Sequence, residues 1–235
     1  MNNSILAGRW RLDDNGSTTV EDSSGNGNNG QLMPLAPVPD TGQVWTGQEP
    51  TWAASNNDDT GACLKVNNGC AVVTRPPVPA NAWALEPQHI TVEACFRAGP
   101  EGPGAYAYLV SKGANGGKAA SYALYTSSIG TLNFYVTVGG AAQTSAIVLD
   151  PKQLWDGKWH VAAGSFDGIS IRLFLDGEEV GPASKLPSNG LIDYDLPTHN
   201  DFYIGAYNPD GFSSFSGGFM GEIAEVRVWN QAILK

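Results

Sequence analysis

The sequence predicts an all-β protein, a sandwich of two antiparallel sheets, and three observations predict it. Asn-Gly occurs six times, at Asn15, Asn26, Asn29, Asn68, Asn115 and Asn189, and Asp-Gly four times, at Asp156, Asp167, Asp176 and Asp210. These pairs favour the positive-φ turns that join antiparallel strands. Between them lie short runs rich in β-branched and aromatic residues, most alternating apolar and polar with period two. No segment sustains the 3.6-residue periodicity of a long amphipathic helix, which excludes a parallel α/β fold.

In chain order, strands are expected at Ile90–Phe96, Thr131–Val138, Lys158–Phe166, Ser170–Leu175, Asp201–Ala206 and Glu222–Trp229, within a total of roughly ten to fourteen. Val66–Gly69 reads as a hairpin tip. Pro151–Trp155 and Asn230–Lys235 each read as one helical turn. Gln31–Thr60, with Pro34, Pro37, Pro39, Pro50, Trp45 and Trp52, reads as an irregular insertion, and Arg75–Pro79 as a rigid connector. No repeat or linker divides the chain, so a single domain over residues 1–235 is expected.

Hydrophobic residues make up 42% and charged residues 15%, so there is ample material for a core. The net charge of −10 repels phosphates and disfavours nucleic acid or an anionic membrane as partner. The longest apolar stretches, such as Ala105–Val110, are too short to span a bilayer. The first seven residues hold neither a basic region nor a long apolar run. No secretory signal is therefore read, and a cytoplasmic location is expected of the chain as written, with secretion as the alternative if a longer parent precedes it. Of the three cysteines, Cys95 reads as a buried free thiol. Cys63 and Cys70 flank the expected hairpin tip with an offset of about three rows of roughly 3.4 Å. That exceeds the ~7 Å Cα reach of a disulfide.

Several segments, in order, resemble a laminin-G-like domain of the concanavalin A-like lectin/glucanase superfamily. They are Arg9-Trp10-Arg11-Leu12-Asp13, the loop Asp22-Ser23-Ser24-Gly25-Asn26-Gly27-Asn28, Ile90 to Arg97, Leu109-Val110-Ser111-Lys112-Gly113, Gly157 to Ala162, Leu173 to Gly177, Ile204-Gly205 and Phe219 to Asn230. Cys95 stands where that family usually has Trp, and Ala224 where an Asp is usual. The resemblance implies a concanavalin A-like jelly roll with its first and last strands adjacent, and a ligand cleft on an outer sheet face. Because such folds host many activities, it does not specify one.

Three sets of residues are candidates for chemistry. The Asp22 loop partly fits a calcium-loop pattern, with Asp22 and the amide oxygens of Asn26 or Asn28 as hard donors. It is not an EF-hand, since its twelfth position is Met33. The resemblance implies a structural Ca2+ joining this loop to the closing strand, where Glu225 or Glu222 would supply a second carboxylate. The alternative is an Asx-rich turn without metal.

Strand alternation supplies the second set. Placing Val92 and Phe96, Phe134 and Val136, Trp159 and Val161, and Ile171 and Leu173 inward sends Glu93, Cys95, Arg97, Asn133, Tyr135, Thr137, His160 and Arg172 outward. Glu93, Arg97, Asn133, Tyr135 and His160, with Lys112 on the same face, are the expected ligand pocket. The alternative is a solvated face with a Glu93–Arg97 ion pair. The third set is the aromatics of expected loops, Trp45, Trp52, Trp83, Trp155, Tyr106, Tyr108, Tyr194, Tyr207, Phe212 and Phe215. They can stack on sugars or plug the ends of a sandwich.

Catalytic signatures are sparse. Glu222 and Glu225 lie three apart and on a regular strand face opposite ways, unlike the paired acids of a glycosidase. The sequence contains no nucleophile elbow, P-loop or zinc-protease motif. The leading expectation is a carbohydrate-binding, lectin-like domain with a small-molecule or glycan ligand. An enzyme of the same fold using Glu, His, Tyr and Arg, and a protein-interaction module, are the alternatives. Oligomeric state is not legible.

Overall fold

The computed structural model describes residues 6–14, 16–34, 50–54, 61–67, 69–114, 119–145, 150–196, 199–207 and 217–233 of the 235-residue chain. Trp45, Phe212 and Phe215 lie outside these. In chain order the strands are β1 (Leu6–Trp10), β2 (Thr19–Val20), β3 (Gly30–Pro34), β4 (Thr51–Ala54), β5 (Ala62–Asn67), β6 (Gly69–Val73), β7 (Ile90–Arg97), β8 (Tyr108–Ala114) and β9 (Tyr122–Thr126). They continue with β10 (Leu132–Val138), β11 (Ala141–Thr144), β12 (His160–Phe166), β13 (Ser170–Leu175), β14 (Glu178–Glu179), β15 (Ser184–Lys185), β16 (His199–Ile204) and β17 (Met220–Trp229). One helical turn, α1 (Pro151–Leu154), precedes β12.

The strands form two antiparallel sheets. The first runs β14-β13-β12-β7-β17-β5-β4, with β1 beside β17 and β15 beside β13; the second runs β11-β10-β9-β8-β16-β6-β3-β2. The first and last strands are paired, as the resemblance implies. An Asp-Gly turn closes a hairpin as expected, and Gly139-Gly140 closes another. Asp176 and Gly177 have φ of 50° and 88° and let Leu175 pair with Glu178. Positive φ at both central residues matches the right-handed twist of the flanking strands.

Between the sheets lie Val92, Ala94 and Phe96 of β7, Ala162 and Phe166 of β12, Tyr122 and Leu124 of β9, Phe134 and Val136 of β10, and Phe202 and Ile204 of β16. Burying each large apolar side chain contributes roughly 1.5–3 kcal/mol. β12 carries Gly164 against the second sheet: a Cβ there would stand 2.1 Å from the Phe134 ring. Trp10 stacks on Phe202 with ring centroids 4.8 Å apart and donates its indole N–H to the Asn28 carbonyl.

Several sequence expectations change. Val66–Gly69 is no hairpin: β5 pairs with β4 and β17, while β6 pairs with β3 and β16, so the chain passes there from one sheet to the other. Cys63 and Cys70 therefore belong to different sheets, and none of the three cysteines is in a disulfide. Cys95 is partly exposed on the outer face rather than buried. The region Gln31–Thr60 contains two strands, the end of β3 and all of β4, on either side of residues outside the described set. Asn230 and Gln231 form a bend and residues 232–233 no regular structure, rather than a helical turn; residues 234–235 lie outside the described set. No helix among the described residues is long and apolar enough to cross a membrane.

Candidate functional site

The expected pocket is divided between the two sheets. Glu93 and Arg97 do face outward from β7, on the first sheet, and each has a partner on β17. Glu93 accepts from Arg227 Nη1 at 3.1 Å, and Arg97 pairs with Glu222 while its guanidinium lies 4.8 Å above the Trp159 ring. Glu225 is held by Arg9 Nε at 2.6 Å and by Arg227. The register explains how Glu222 and Glu225 come to share this face. Ile223 opposes Phe96 and Glu225 opposes Cys95, so Ala224 is the extra residue of a β-bulge that reverses the alternation. Each carboxylate of this face is neutralised by an arginine, an arrangement suited to bracing neighbouring strands.

His160 departs from its expected side. Ala162 and Phe166 of β12 are in the core, so the strand's parity places Val161 and Ala163 outward and His160 opposite Phe96, at the edge of the core. Its Nδ1 lies 2.7 Å from Asp176 and its Nε2 3.2 Å from Asp156. With both ring nitrogens occupied by carboxylates, the imidazole ties two loops together. The sequence parity failed because Trp159, taken as inward, precedes the strand.

Lys112 lines no outer face. It points inward with its side chain fully buried, its ammonium 3.0 Å from Glu86 Oε1 and 2.6 Å from the Asn200 carbonyl. The rings of Trp83 and Tyr194 lie 5.2 and 5.6 Å from it. Glu86 also accepts from Arg75 Nε at 2.5 Å and from the Asn81 amide at 2.9 Å. Burial pushes the Lys112 pKa down to about 8, against the opposing pull of Glu86. Burial by itself raises the Glu86 carboxyl, but the Arg75 hydrogen bond and the Lys112 charge outweigh it and hold it below its ordinary value.

The loop expected to hold calcium is closed by its own hydrogen bonds. Asp22 Oδ1 accepts from the amides of Arg9 and Ser24 at 3.0 and 2.9 Å, and Oδ2 from the Asn28 amide at 2.9 Å. Asn26 turns its NH2 group inward, donating to the Leu6 and Ala7 carbonyls at 2.9 and 3.1 Å. The two carbonyl partners fix that amide orientation, since the flipped form would set oxygen against oxygen. Asn28 Nδ2 donates to the Ala7 carbonyl, and its Oδ1 accepts from Trp83 Nε1 at 2.7 Å. Glu225 is committed to its two arginines. A hard cation needs several oxygen ligands, whereas here amide donors occupy the carbonyls. No cluster of three His, Cys, Asp or Glu exists among the described residues. The residues as placed do not fit calcium.

The outer face of the second sheet gathers a group of tyrosines that sequence parity exposed only in part. On β10, Leu132, Phe134 and Val136 are in the core, so Asn133, Tyr135 and Thr137 face out, as expected. Register places Tyr108 of β8 opposite Tyr125 of β9, Tyr125 opposite Asn133, and Ala123 opposite Tyr135. Tyr108 stacks with Tyr125 at 5.3 Å and with Tyr207 at 4.9 Å, while Tyr135 meets Tyr125 edge-on at 5.1 Å. Tyr135 and Tyr207 are buried, and Tyr108 and Tyr125 are half-buried. At the rim, Tyr106 is 55% exposed and holds a φ of 53°, uncommon for a bulky residue. Gly217 closes one side, where a Cβ would lie 2.1 Å from the Tyr106 carbonyl oxygen.

Polar groups complete this face. The Tyr135 hydroxyl accepts from the Ala120 amide at 2.9 Å. Burial raises the pKa of Tyr108, Tyr125 and Tyr135, with hydrogen bonds from Tyr135 to Tyr108 and from the Asn133 amide to Tyr125 acting in the opposite sense. The phenols are therefore neutral at physiological pH. Asn133, 1% exposed, is left with its Oδ1 unpartnered among the described residues, and so is Ser121 Oγ. A buried polar atom without a partner costs about 1–3 kcal/mol, so such atoms call for an explanation. Of the loop aromatics, Trp83, Trp155 and Tyr194 are buried and plug the sandwich.

A profile described as the concanavalin A-like lectin/glucanases superfamily matches residues 67–235. Comparison with curated protein sequences gave no match. Among solved structures, domain 4 of AbnA, a GH43 extracellular arabinanase from Geobacillus stearothermophilus, in complex with arabinotriose, superposes with a TM-score of 0.57 at 15% identity, over 97% of this chain and 94% of that one. The binding domain of Botulinum neurotoxin DC in complex with SialylT gives 0.61 at 9% identity, over 99% of this chain and 49% of that one, so the chain spans about half its length. The Ruminococcus gnavus IT-sialidase CBM40 bound to α2,3-sialyllactose gives 0.50 at 18% identity, over 63% of this chain and 79% of that one. At these identities the likeness is one of fold.

Proposed function

The chain belongs to the concanavalin A-like lectin/glucanases superfamily, and from that premise we propose that it is a carbohydrate-binding, lectin-like module taking glycan on the outer face of its second sheet. The observation that carries this reading is the packed tyrosine group with the unpartnered Asn133 Oδ1 beside it. Tyr108 and Tyr125, half-buried, are the members of the group that reach the surface, over the buried Tyr135 and Tyr207. Phenols are apolar in body and polar at the tip, which suits the mixed surface of a sugar. Sugar complexes in the same fold, the arabinanase domain with arabinotriose and CBM40 with sialyllactose, accord with this reading but do not locate the site.

The test is a glycan array followed by calorimetry on the best hits, with Tyr108→Phe and Tyr125→Phe as variants. Phenylalanine keeps the ring packing and removes only the hydroxyl. Each variant is expected to lose about tenfold in affinity, the worth of one hydrogen bond of about 1.4 kcal/mol. Absence of any glycan hit, or hits whose affinity neither variant alters, would overturn the proposal.

A further inference from the structure

The charges of this molecule are distributed unevenly between its two faces. The strands of the first sheet carry Arg9, Lys65, Arg97, Arg172, Lys185 and Arg227. The eight strands of the second sheet carry a single lysine or arginine, Lys112, and it points into the core, where Glu86 and the Asn200 carbonyl hold it. Their only carboxylate is Asp201, which accepts from the Arg75 amide at 2.8 Å. Among the described residues, the strand side chains around Tyr108, Tyr125 and Tyr135 are therefore neutral, on a chain whose net charge is −10.

The unpartnered atom has a direction as well. Asn133 Oδ1, being an amide oxygen, is an acceptor only. A ligand that satisfies it must donate a hydrogen. A sugar hydroxyl does so; a carboxylate or sulfate cannot. An anionic sugar placed here would meet no arginine or lysine from these strands, although recognition of such groups ordinarily relies on arginine. It would also approach against the net negative field.

We infer that the tyrosine face selects neutral, hydroxyl-rich oligosaccharides over sialylated, uronic-acid or sulfated ones, and that Asn133 is a specificity-determining acceptor within it. This inference rests on the reading of that face as the glycan site. Binding then depends on hydroxyl donors and aromatic edges, and is insensitive to salt, because no ion pair forms between protein and ligand.

The experiment uses the full chain on an array that prints each neutral oligosaccharide beside its sialylated, uronic-acid or sulfated counterpart. Calorimetry follows on the best pair at about 0.05 and 0.5 M NaCl, a range over which exposed charge interactions are strongly screened. Neutral members are expected to bind at least tenfold more tightly, with less than a twofold change across that salt range. Acidic members that bind as well or better, and still weaken in Tyr125→Phe, would overturn the neutral selectivity while leaving the site in place. Hits that Tyr125→Phe does not weaken, or no hits at all, would overturn both. Asn133→Leu supplies a second readout. Since it removes an unpartnered buried acceptor together with the amide donor to Tyr125, the two effects offset, and it is expected to shift the melting temperature only slightly while lowering neutral-glycan affinity about tenfold. Unchanged affinity would remove Asn133 from the site, and a large loss of melting temperature would mark it as structural.

Discussion

Glu86→Gln tests whether the interior charge cluster is held by mutual neutralisation. The wild-type carboxylate receives Arg75 Nε and Nη2 at 2.5 and 3.1 Å, Lys112 Nζ at 3.0 Å and the Asn81 amide at 2.9 Å. The glutamine amide keeps the shape but removes the charge and turns one acceptor into a donor facing other donors. Arg75, with 17% of its side chain exposed, can turn to water; Lys112, with none, cannot. The Lys112 ammonium is then left with the Asn200 carbonyl and two ring faces. Breaking a buried pair from one side costs about 3–5 kcal/mol, a large part of the ~5–15 kcal/mol that stabilises a typical domain. Replacing both charges, in Glu86→Gln with Lys112→Met, is expected to recover at least about 2 kcal/mol of that loss, since an apolar chain needs no counterion. Urea denaturation at neutral pH, followed by tryptophan fluorescence, measures all three forms. A loss below about 1 kcal/mol in Glu86→Gln, or a double variant no more stable than the single one, would refute the reasoning. The same cluster carries a pH signature. Burial lowers the Lys112 pKa from 10.5 to about 8, so between these values the unfolded chain binds more protons than the folded one. Stability from this group is greatest above the unfolded value and falls as the pH drops through about 8, a slope that Lys112→Met is expected to abolish.

Other perturbations probe the loop and the core. Asp22→Ala removes the acceptor of three backbone amides and is expected to cost about 1–3 kcal/mol, while calcium or EDTA leaves the wild-type melting temperature unchanged. A melting temperature that rises with calcium would refute the view that amide donors have taken the cation's place. Gly164→Ala places a methyl 2.1 Å from the Phe134 ring and is expected to cost about 1–3 kcal/mol by overpacking. Combination with Phe134→Leu should restore part of that loss in thermal melts, and equal melting of Gly164→Ala and wild type would place the contact elsewhere.

By itself the sequence determined what depends on neighbours along the chain. Asn-Gly and Asp-Gly turns, period-two alternation and the want of a helical period specify an antiparallel sandwich. The alternation correctly sent Glu93, Cys95 and Arg97, and Asn133, Tyr135 and Thr137, to outer faces. Alternation is a local rule, however, and it does not say which sheet a strand joins. Glu93 and Tyr135 obey the same parity yet stand on opposite sides of the molecule, because β7 pairs with β12 and β17 while β10 pairs with β9 and β11. Nor does it register an inserted residue: one bulge at Ala224 brought Glu222 and Glu225 to the same face. Lys112 shows the same limit from the side of charge. Its polarity suggested a surface, but its strand's alternation turns it inward, and only Glu86, 26 residues away in sequence, makes that burial tolerable. The tyrosine group is likewise assembled from β8, β9, β10 and the segment after β16. Those residues become neighbours only through pairings made after the chain has folded, so their contacts were decided by the tertiary structure alone.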